Sequence, residues 1–158
     1  MANRKPDYDA VIASPLGRLG INAAEALTNI DFVSARTPLK PARTVVARKV
    51  CAQLKSYFSD PATRFDVPLA PAGTDFQQRV WRAMRRIPAG QARRYGELAT
   101  RLASGPRAVG GACRANPIPI VVPCHRVVAA SGDGGYMGAT HGRRLDIKRW
   151  LLAHESRR

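Results

Sequence analysis

The chain contains only three cysteines and three histidines, and two of these six side chains are neighbours, Cys124 and His125, in the stretch IVVPCHRVV at residues 120–128. A thiolate is a strong nucleophile toward carbon, and an imidazole is the usual group to take the thiol proton. In an extended strand adjacent side chains point to opposite faces, so adjacency alone does not make a working pair. The prolines at 117, 119 and 123 deny this segment a regular strand and favour a constrained loop, which can bring together what a strand would splay apart. A carboxylate to orient the imidazole is available at Glu155, which follows Leu151 and Leu152 by four and three residues and so falls on or beside the apolar stripe of the closing segment LDIKRWLLAHES. A solvated glutamate at a frayed helix end fits the same spacing. Cys51, Cys113 and Cys124 form no Cys-x-x-Cys or Cys/His zinc spacing, so neither a disulfide framework nor a metal site is expected.

Those side chains need elements to hold them. Residues 9–34 alternate in short segments, DAVIAS, RLGIN and NIDFVS, around a turn at Pro15-Leu16-Gly17, and predict a small antiparallel meander. Residues 43–59 place Val46, Val50, Leu54, Tyr57 and Phe58 on one helical stripe, with Cys51 beside it as a small buried hydrophobe. A further short strand is expected at residues 64–69. The sequence APAG at 70–73 reads as a link, so two domains are expected, 1–71 and 72–158.

The second domain opens with Thr74 followed by Gln77, a capping box, ahead of a helix with Phe76, Val80, Met84 and Ile87 on one face and Arg79, Arg82, Arg85 and Arg86 on the other. Two short helices follow. Tyr95, Leu98, Ala99 and Leu102 lie along the first, Ser104-Gly105 breaks it, and Pro106 suits the first turn of the second, a helix-turn-helix pattern. The second of these helices carries Ala108, Gly110, Gly111, Ala112 and Ala115 and is nearly bare. A helix with ordinary side chains is roughly 10–12 Å across and a minor groove about 6 Å wide, so stripping the side chains is one way to fit a helix there. Tight packing on a neighbouring helix is the other reading, and the glycines then cost about 1 kcal/mol each against Ala. Cys113 faces outward or packs internally on the same spacing, and His141 and His154 are expected at the surface.

Charge favours one class of partner. The chain carries 26 Lys plus Arg against 11 Asp plus Glu, and the imbalance is concentrated in residues 79–158, with 16 basic side chains, 15 of them Arg, against 4 acidic ones. Guanidinium forks match phosphate oxygens, and each phosphate contact releases counterions. A generally basic protein kept in solution by its charge has the same composition. No apolar run reaches the length of a membrane span, and the first residues lack a secretory signal's hydrophobic stretch, so an intracellular, cytoplasmic protein with no membrane partner is expected.

NPIPIVVPCHRVV, preceded by GTDFQQRVW, IPAG and RAVGGA and followed by GYMG and KRWLLAHE, closely resembles the O6-alkylguanine-DNA alkyltransferases, from about Gly73 to Glu155. The resemblance implies an α/β (α+β) fold: a small N-terminal antiparallel sheet with a helix, RNase H-like, and a mainly helical, winged-helix-like C-terminal domain that carries the active site. It implies that Cys124 accepts the alkyl group of O6-alkylguanine by in-line displacement, once per molecule, with a thiol pKa lowered for the purpose. His125 resembles the base acting through water, and Glu155 the carboxylate that orients and charges it. Tyr95 matches the residue that turns the nucleotide and protonates or hydrogen-bonds the departing guanine. Arg107 matches the residue that fills the vacated stack, and Asn116 the link between DNA-binding turn and active-site loop. Ala108, Gly110, Gly111 and Arg114 fall on the DNA-binding helix. Val127 through its carbonyl, and Tyr136 with Met137 through backbone amides, resemble the guanine-holding groups, with Gly138 beside them. The implied partner is double-stranded DNA containing O6-alkylguanine, entered from the minor groove with the base flipped. The protein is expected to act without a cofactor and as a monomer, cooperative binding along DNA being open. Two other readings compete. A non-catalytic lesion-binding relative that recruits other repair factors would lack the reactive Cys, and a Cys-His hydrolase gives no reason for the bare helix.

Overall fold

The computed structural model describes residues 7–132 and 134–157, which fold as two compact units, one running to Ser59 and including Thr63–Ala70, the other made of Asp60–Ala62 and the chain from Pro71 onward.

In the first unit, β1 (Ala10–Ser14), β2 (Gly17–Ala23) and β3 (Leu27–Val33) form an antiparallel meander in that order. The turn between β1 and β2 puts Gly17 at φ 93°, where a side chain would be strained. The helix α1 (Val45–Ser59) buries Ala47, Val50, Cys51, Leu54 and Tyr57, so its buried stripe is rotated toward Ala47 and Cys51, with the expected Val46 and Phe58 only half-buried. The strand expected at 64–69 is absent. A single parallel bridge, Leu27 to Leu69, stands in its place, held by Leu27 N–H to the Pro68 carbonyl at 2.8 Å and Ala70 N–H to the Leu27 carbonyl at 2.9 Å. Pro68 has no N–H to offer a longer ladder.

The second unit begins with α2 (Asp75–Arg85), whose capping box is formed in both directions: Gln77 N–H donates to Thr74 Oγ1 at 3.1 Å and Thr74 N–H to Gln77 Oε1 at 2.9 Å. It buries Val80, Trp81 and Met84 and leaves Arg79, Arg82, Arg85 and Arg86 exposed. The helices α3 (Tyr95–Arg101) and α4 (Pro106–Arg114) form the helix-turn-helix, and α2 packs against α4. Trp81 fastens that contact by donating its indole N–H to the Ala112 carbonyl at 2.8 Å. Two short parallel strands, β4 (Arg93–Arg94) and β5 (Val127–Val128), join the entry of α3 to the residues that follow the Cys-His pair. The closing helix α5 (Arg143–Glu155) buries Leu145, Ile147, Lys148, Leu151, His154 and Glu155. His141 is exposed. His154, expected at the surface, is buried instead, because its ring stacks on Trp150 at 4.8 Å, one helical turn earlier.

Among the described residues no helix is long and apolar enough to cross a membrane. The Trp81 bond is internal to the scaffold that aims α4. Replacing Trp81 by Phe leaves the buried Ala112 carbonyl without its donor and is expected to lower stability by about 1–3 kcal/mol, read as a fall in the urea midpoint at unchanged m-value.

Candidate active site

The proline-rich segment after α4 folds as a tight loop and delivers Cys124, His125 and Arg126 on one 3-10 turn. Asn116, buried at the head of the loop, bridges it internally: its amide donates to the Val122 carbonyl at 2.8 Å and its side-chain carbonyl accepts from Ile118 N–H at 2.9 Å. Ile120 is held at φ 73°, a left-handed conformation that costs a β-branched residue roughly 1–3 kcal/mol and persists only where the surroundings impose it. The next residues are Val121, Val122, Pro123 and Cys124, all buried.

His125 is fully buried and its Nε2 lies 2.9 Å from Glu155 Oε2. An ionised carboxylate only accepts, so Nε2 carries the proton and Nδ1 presents a lone pair. That Nδ1 is buried without a hydrogen-bond partner among the protein atoms. Glu155 receives more than the histidine. Arg126 donates Nε to Oε1 at 2.8 Å and Nη2 to Oε2 at 2.8 Å, while its Nη1 donates to the Ile87 carbonyl at 2.6 Å. Burial disfavours the charged carboxylate, but hydrogen bonds from Arg126 and His125 outweigh it and hold the Glu155 carboxyl well below its ordinary value. The solvated-glutamate reading therefore fails, with Glu155 only 1 % exposed.

The surroundings of Cys124 act against the expected lowering of its thiol pKa. Burial pushes the Cys124 thiol up, although hydrogen bonding to Asn116 and Tyr136 and the charge of Lys148 pull the other way. Burial likewise lowers the His125 pKa, with the charges of Arg126 and Lys148 acting in the same sense and the Glu155 bond opposing them. Burial thus favours the neutral form of both side chains.

A cavity of about 600 Å³ lies along α4 and the loop after β5. Its lining brings together Tyr95, Arg107, Gly110, Gly111, Arg114, Tyr136, Met137 and Gly138, all singled out from the sequence. Ala108 is exposed on α4 but outside this lining, and Val127 is buried in β5. Cys113, undecided from spacing, is buried with its Sγ 3.6 Å from Met84 Sδ and forms part of the cavity wall. Burial raises the Tyr95 phenol to about 12, the neighbouring Cys113 and Cys124 adding to the shift, so it stays a donor at neutral pH. The Tyr136 amide is not free for a ligand, because the turn closes on itself through Tyr136 N–H to the Ala139 carbonyl at 2.8 Å and Ala139 N–H to the Tyr136 carbonyl at 3.0 Å. Lys148 escaped the sequence reading: it looks like a surface cation, and it donates to the backbone carbonyls of Val127 and Gly135, partners that leave no trace in sequence. Arg126 belongs to the quoted Pro-Cys-His-Arg core, and what the sequence did not show is its tie to Glu155.

The bare face of α4 is also decided. Val109, Ala112 and Cys113 face the interior, whereas a Cβ at Gly110 or Gly111 would meet nothing within 4 Å. Internal packing therefore does not require these glycines.

The depressed Glu155 carboxyl fixes a sign for the pH dependence of stability. A group whose folded pKa lies below its ordinary value of 4.5 contributes fully above that value, and the contribution is lost as pH falls through the folded pKa. Glu155→Gln, which strips Arg126 of a buried partner, is expected to lose about 3 kcal/mol at pH 7. In urea titrations the gap between variant and parent narrows from about pH 4.5 downward, and a gap that is constant with pH contradicts the assignment.

Comparison with known proteins agrees with this arrangement. Residues 75–157 match the family described as 6-O-methylguanine DNA methyltransferase, DNA binding domain. A methylated-DNA–protein-cysteine methyltransferase of Methanosarcina acetivorans is 39% identical over 157 residues, covering 94% of this chain and 97% of its own, and the Mycobacterium bovis protein of the same name is 43% identical over 156 residues, covering 93% and 91%. Among solved structures, Mycobacterium tuberculosis OGT in complex with DNA aligns with a TM-score of 0.75 at 42% identity, over 92% of this chain and 91% of that one. With a buried His125–Glu155 pair on the turn that carries Cys124, and with these likenesses along nearly its whole length, the chain belongs to the 6-O-methylguanine DNA methyltransferase family.

Proposed function

We propose that this protein repairs DNA by direct reversal, moving the alkyl group of O6-alkylguanine onto its own Cys124 and leaving an unmodified guanine. The observation that carries the reading is the orphaned, buried Nδ1 of His125, whose opposite nitrogen is committed to Glu155. It is a neutral base in need of a proton, next in sequence to a thiol that burial keeps protonated.

The residues divide the work as follows. A water between thiol and imidazole passes the Cys124 proton to Nδ1, and the imidazolium so formed is stabilised by the Glu155 carboxylate. The thiolate attacks the alkyl carbon from the side opposite O6. The new S–C bond forms as the C–O bond breaks, and the electron pair stays with the guanine. Tyr95, still protonated, donates to the departing base, and a proton equivalent to the one lost from the thiol ends on guanine. The thioether has no ready leaving group, so each molecule acts once. No metal or cofactor enters this scheme.

Because the O6 edge lies inside a duplex, the nucleotide must leave the stack, which costs a few kcal/mol. The exposed Arg107 at the start of α4 fills the gap, and the side-chain-free surface at Gly110 and Gly111 lets the helix enter the minor groove as a monomer, with Arg114 at the phosphates. The Val127 carbonyl and Met137 N–H hold the flipped guanine between them. Tyr136 contributes its buried side chain.

Intact mass after incubation with duplex O6-methylguanine tests the scheme. One added methyl per chain is expected, mapped to Cys124 and absent in Cys124→Ala. A methyl on Cys113, or repeated turnover, would defeat it. Arg107→Ala at saturating duplex is expected to react about tenfold more slowly or worse, each 1.4 kcal/mol or so being tenfold, yet normally with free O6-benzylguanine, which needs no extrusion. Equal losses on both substrates remove the stack-filling role. The α4 surface has its own test. Gly111→Ala is expected to stabilise the fold by up to about 1 kcal/mol, whereas Gly111→Leu keeps the fold and weakens duplex binding, measured by fluorescence anisotropy.

A further inference from the structure

A second, smaller cavity of about 160 Å³ lies among the end of α2, β4 and α3, lined by the apolar side chains of Ile87, Leu98 and Leu102 and by three arginines from separate elements, Arg86, Arg93 and Arg101. It shares no lining residue with the cavity at α4. Trp81 faces α4 through its bond to the Ala112 carbonyl, whereas Arg86 falls on another face of α2, exposed together with Arg79 and Arg82. Arg79 donates Nη2 to the Leu102 carbonyl at 3.3 Å, which holds the end of α3 against α2 and keeps the two sides of the cavity together. Among the described residues no carboxylate lines it, and neither Arg86 nor Arg101 has an ion-pair partner. Glu97, one turn before Arg101 on the same helix, accepts from the Arg94 N–H at 3.5 Å instead. Arg93 commits one N–H to Gln91 Oε1 and one to the Ala92 carbonyl and has others to offer. Three like charges gathered without a counter-charge repel one another, and an anion among them meets all three. We propose that this cavity is a second phosphate site for DNA, taking the backbone outside the stretch of groove that α4 enters. Guanidinium forks match phosphate oxygens, and once α4 holds a duplex the phosphates beyond it are at high local concentration. A backbone contact carries no base readout, so the site adds affinity without sequence preference.

This inference rests on the proposed docking of α4, and its test separates the two. Arg86→Gln combined with Arg101→Gln removes two charges at exposed positions, with melting checked so that assays run on folded protein. Binding of undamaged duplex is measured by fluorescence anisotropy across a range of salt, once with a duplex only long enough for the groove at α4 and once with a duplex several times longer. Transfer from free O6-benzylguanine is followed alongside. On the long duplex the double variant is expected to lose about two from the log–log salt slope and about fivefold or more in affinity at low salt. On the short duplex, and with the free base, it is expected to stay within about twofold of the parent. A slope unchanged on the long duplex, or lowered equally on both, overturns the proposal. A loss seen only toward polyglutamate and not toward DNA also overturns it, and assigns the arginines to an acidic protein segment. If the double variant does not fold, each single variant is judged by the same pattern, with a slope change of about one. A parent protein that binds the long duplex with the steeper slope but takes no alkyl group from guanine defeats the proposed reaction and leaves the phosphate site standing.

Discussion

A carboxylate removed from water must be matched by donors, and in this chain that requirement organises the reactive unit. Glu155 at the end of α5 is met by a histidine and an arginine that are neighbours on one 3-10 turn, and the arginine's remaining nitrogen is met by the Ile87 carbonyl just past α2. Three elements distant in sequence are therefore brought into register by one charge. The arginine fork fits both carboxylate oxygens, which a point charge such as lysine would not do. Buried ion pairs are weak evidence for stability, since packed hydrophobes of similar volume often serve as well. The network is better understood through what it imposes on His125: one nitrogen committed, one left as a base.

The part of this that could be read in the sequence is the part carried by unusual residue types in apolar company. Cys124 and His125 stand out between valines, Glu155 falls on an apolar stripe, and Thr74 with Gln77, or Pro106 after Ser-Gly, mark helix starts through local backbone chemistry. Where the structure departs from the reading, a tertiary partner has decided. Lys148 was indistinguishable from the many exposed basic residues because its amino group is held by backbone carbonyls. His154 is buried by a ring one turn away. The 64–69 segment has strand-like residues but also Pro68, and it makes one bridge where a ladder was expected. The direction of the Cys124 shift was illegible for a related reason: spacing identifies the groups near a thiol, while the degree of burial that opposes them emerges only from the packed loop.

The two faces of α4 answer to different constraints. Val109, Ala112 and Cys113 pack inward, at a spacing of three and four residues that fits one side of a helix. On the other side the chain carries glycine where alanine would fit without a clash, and it forgoes the helix propensity that alanine would supply. A cost of that kind, on a surface that the interior does not use, is intelligible when another molecule must come close. Arg107 and Arg114 at the two ends of the same helix supply the charge such a molecule would meet.

The neutral resting state bears on why the chemistry is confined to one event. A protonated, buried thiol is a poor nucleophile, so in the proposed scheme Cys124 waits until its proton has somewhere to go, and the destination that scheme gives it is the lone pair of His125. In that scheme Glu155 acts when the proton arrives, making the imidazolium tolerable, which is a stabilisation of the reacting state rather than the ground state. Once sulfur carries an alkyl group there is no thiol proton for His125 to take up again, and a thioether offers no ready leaving group. The roles proposed for the site all serve to make that bond, and none of them reverses it.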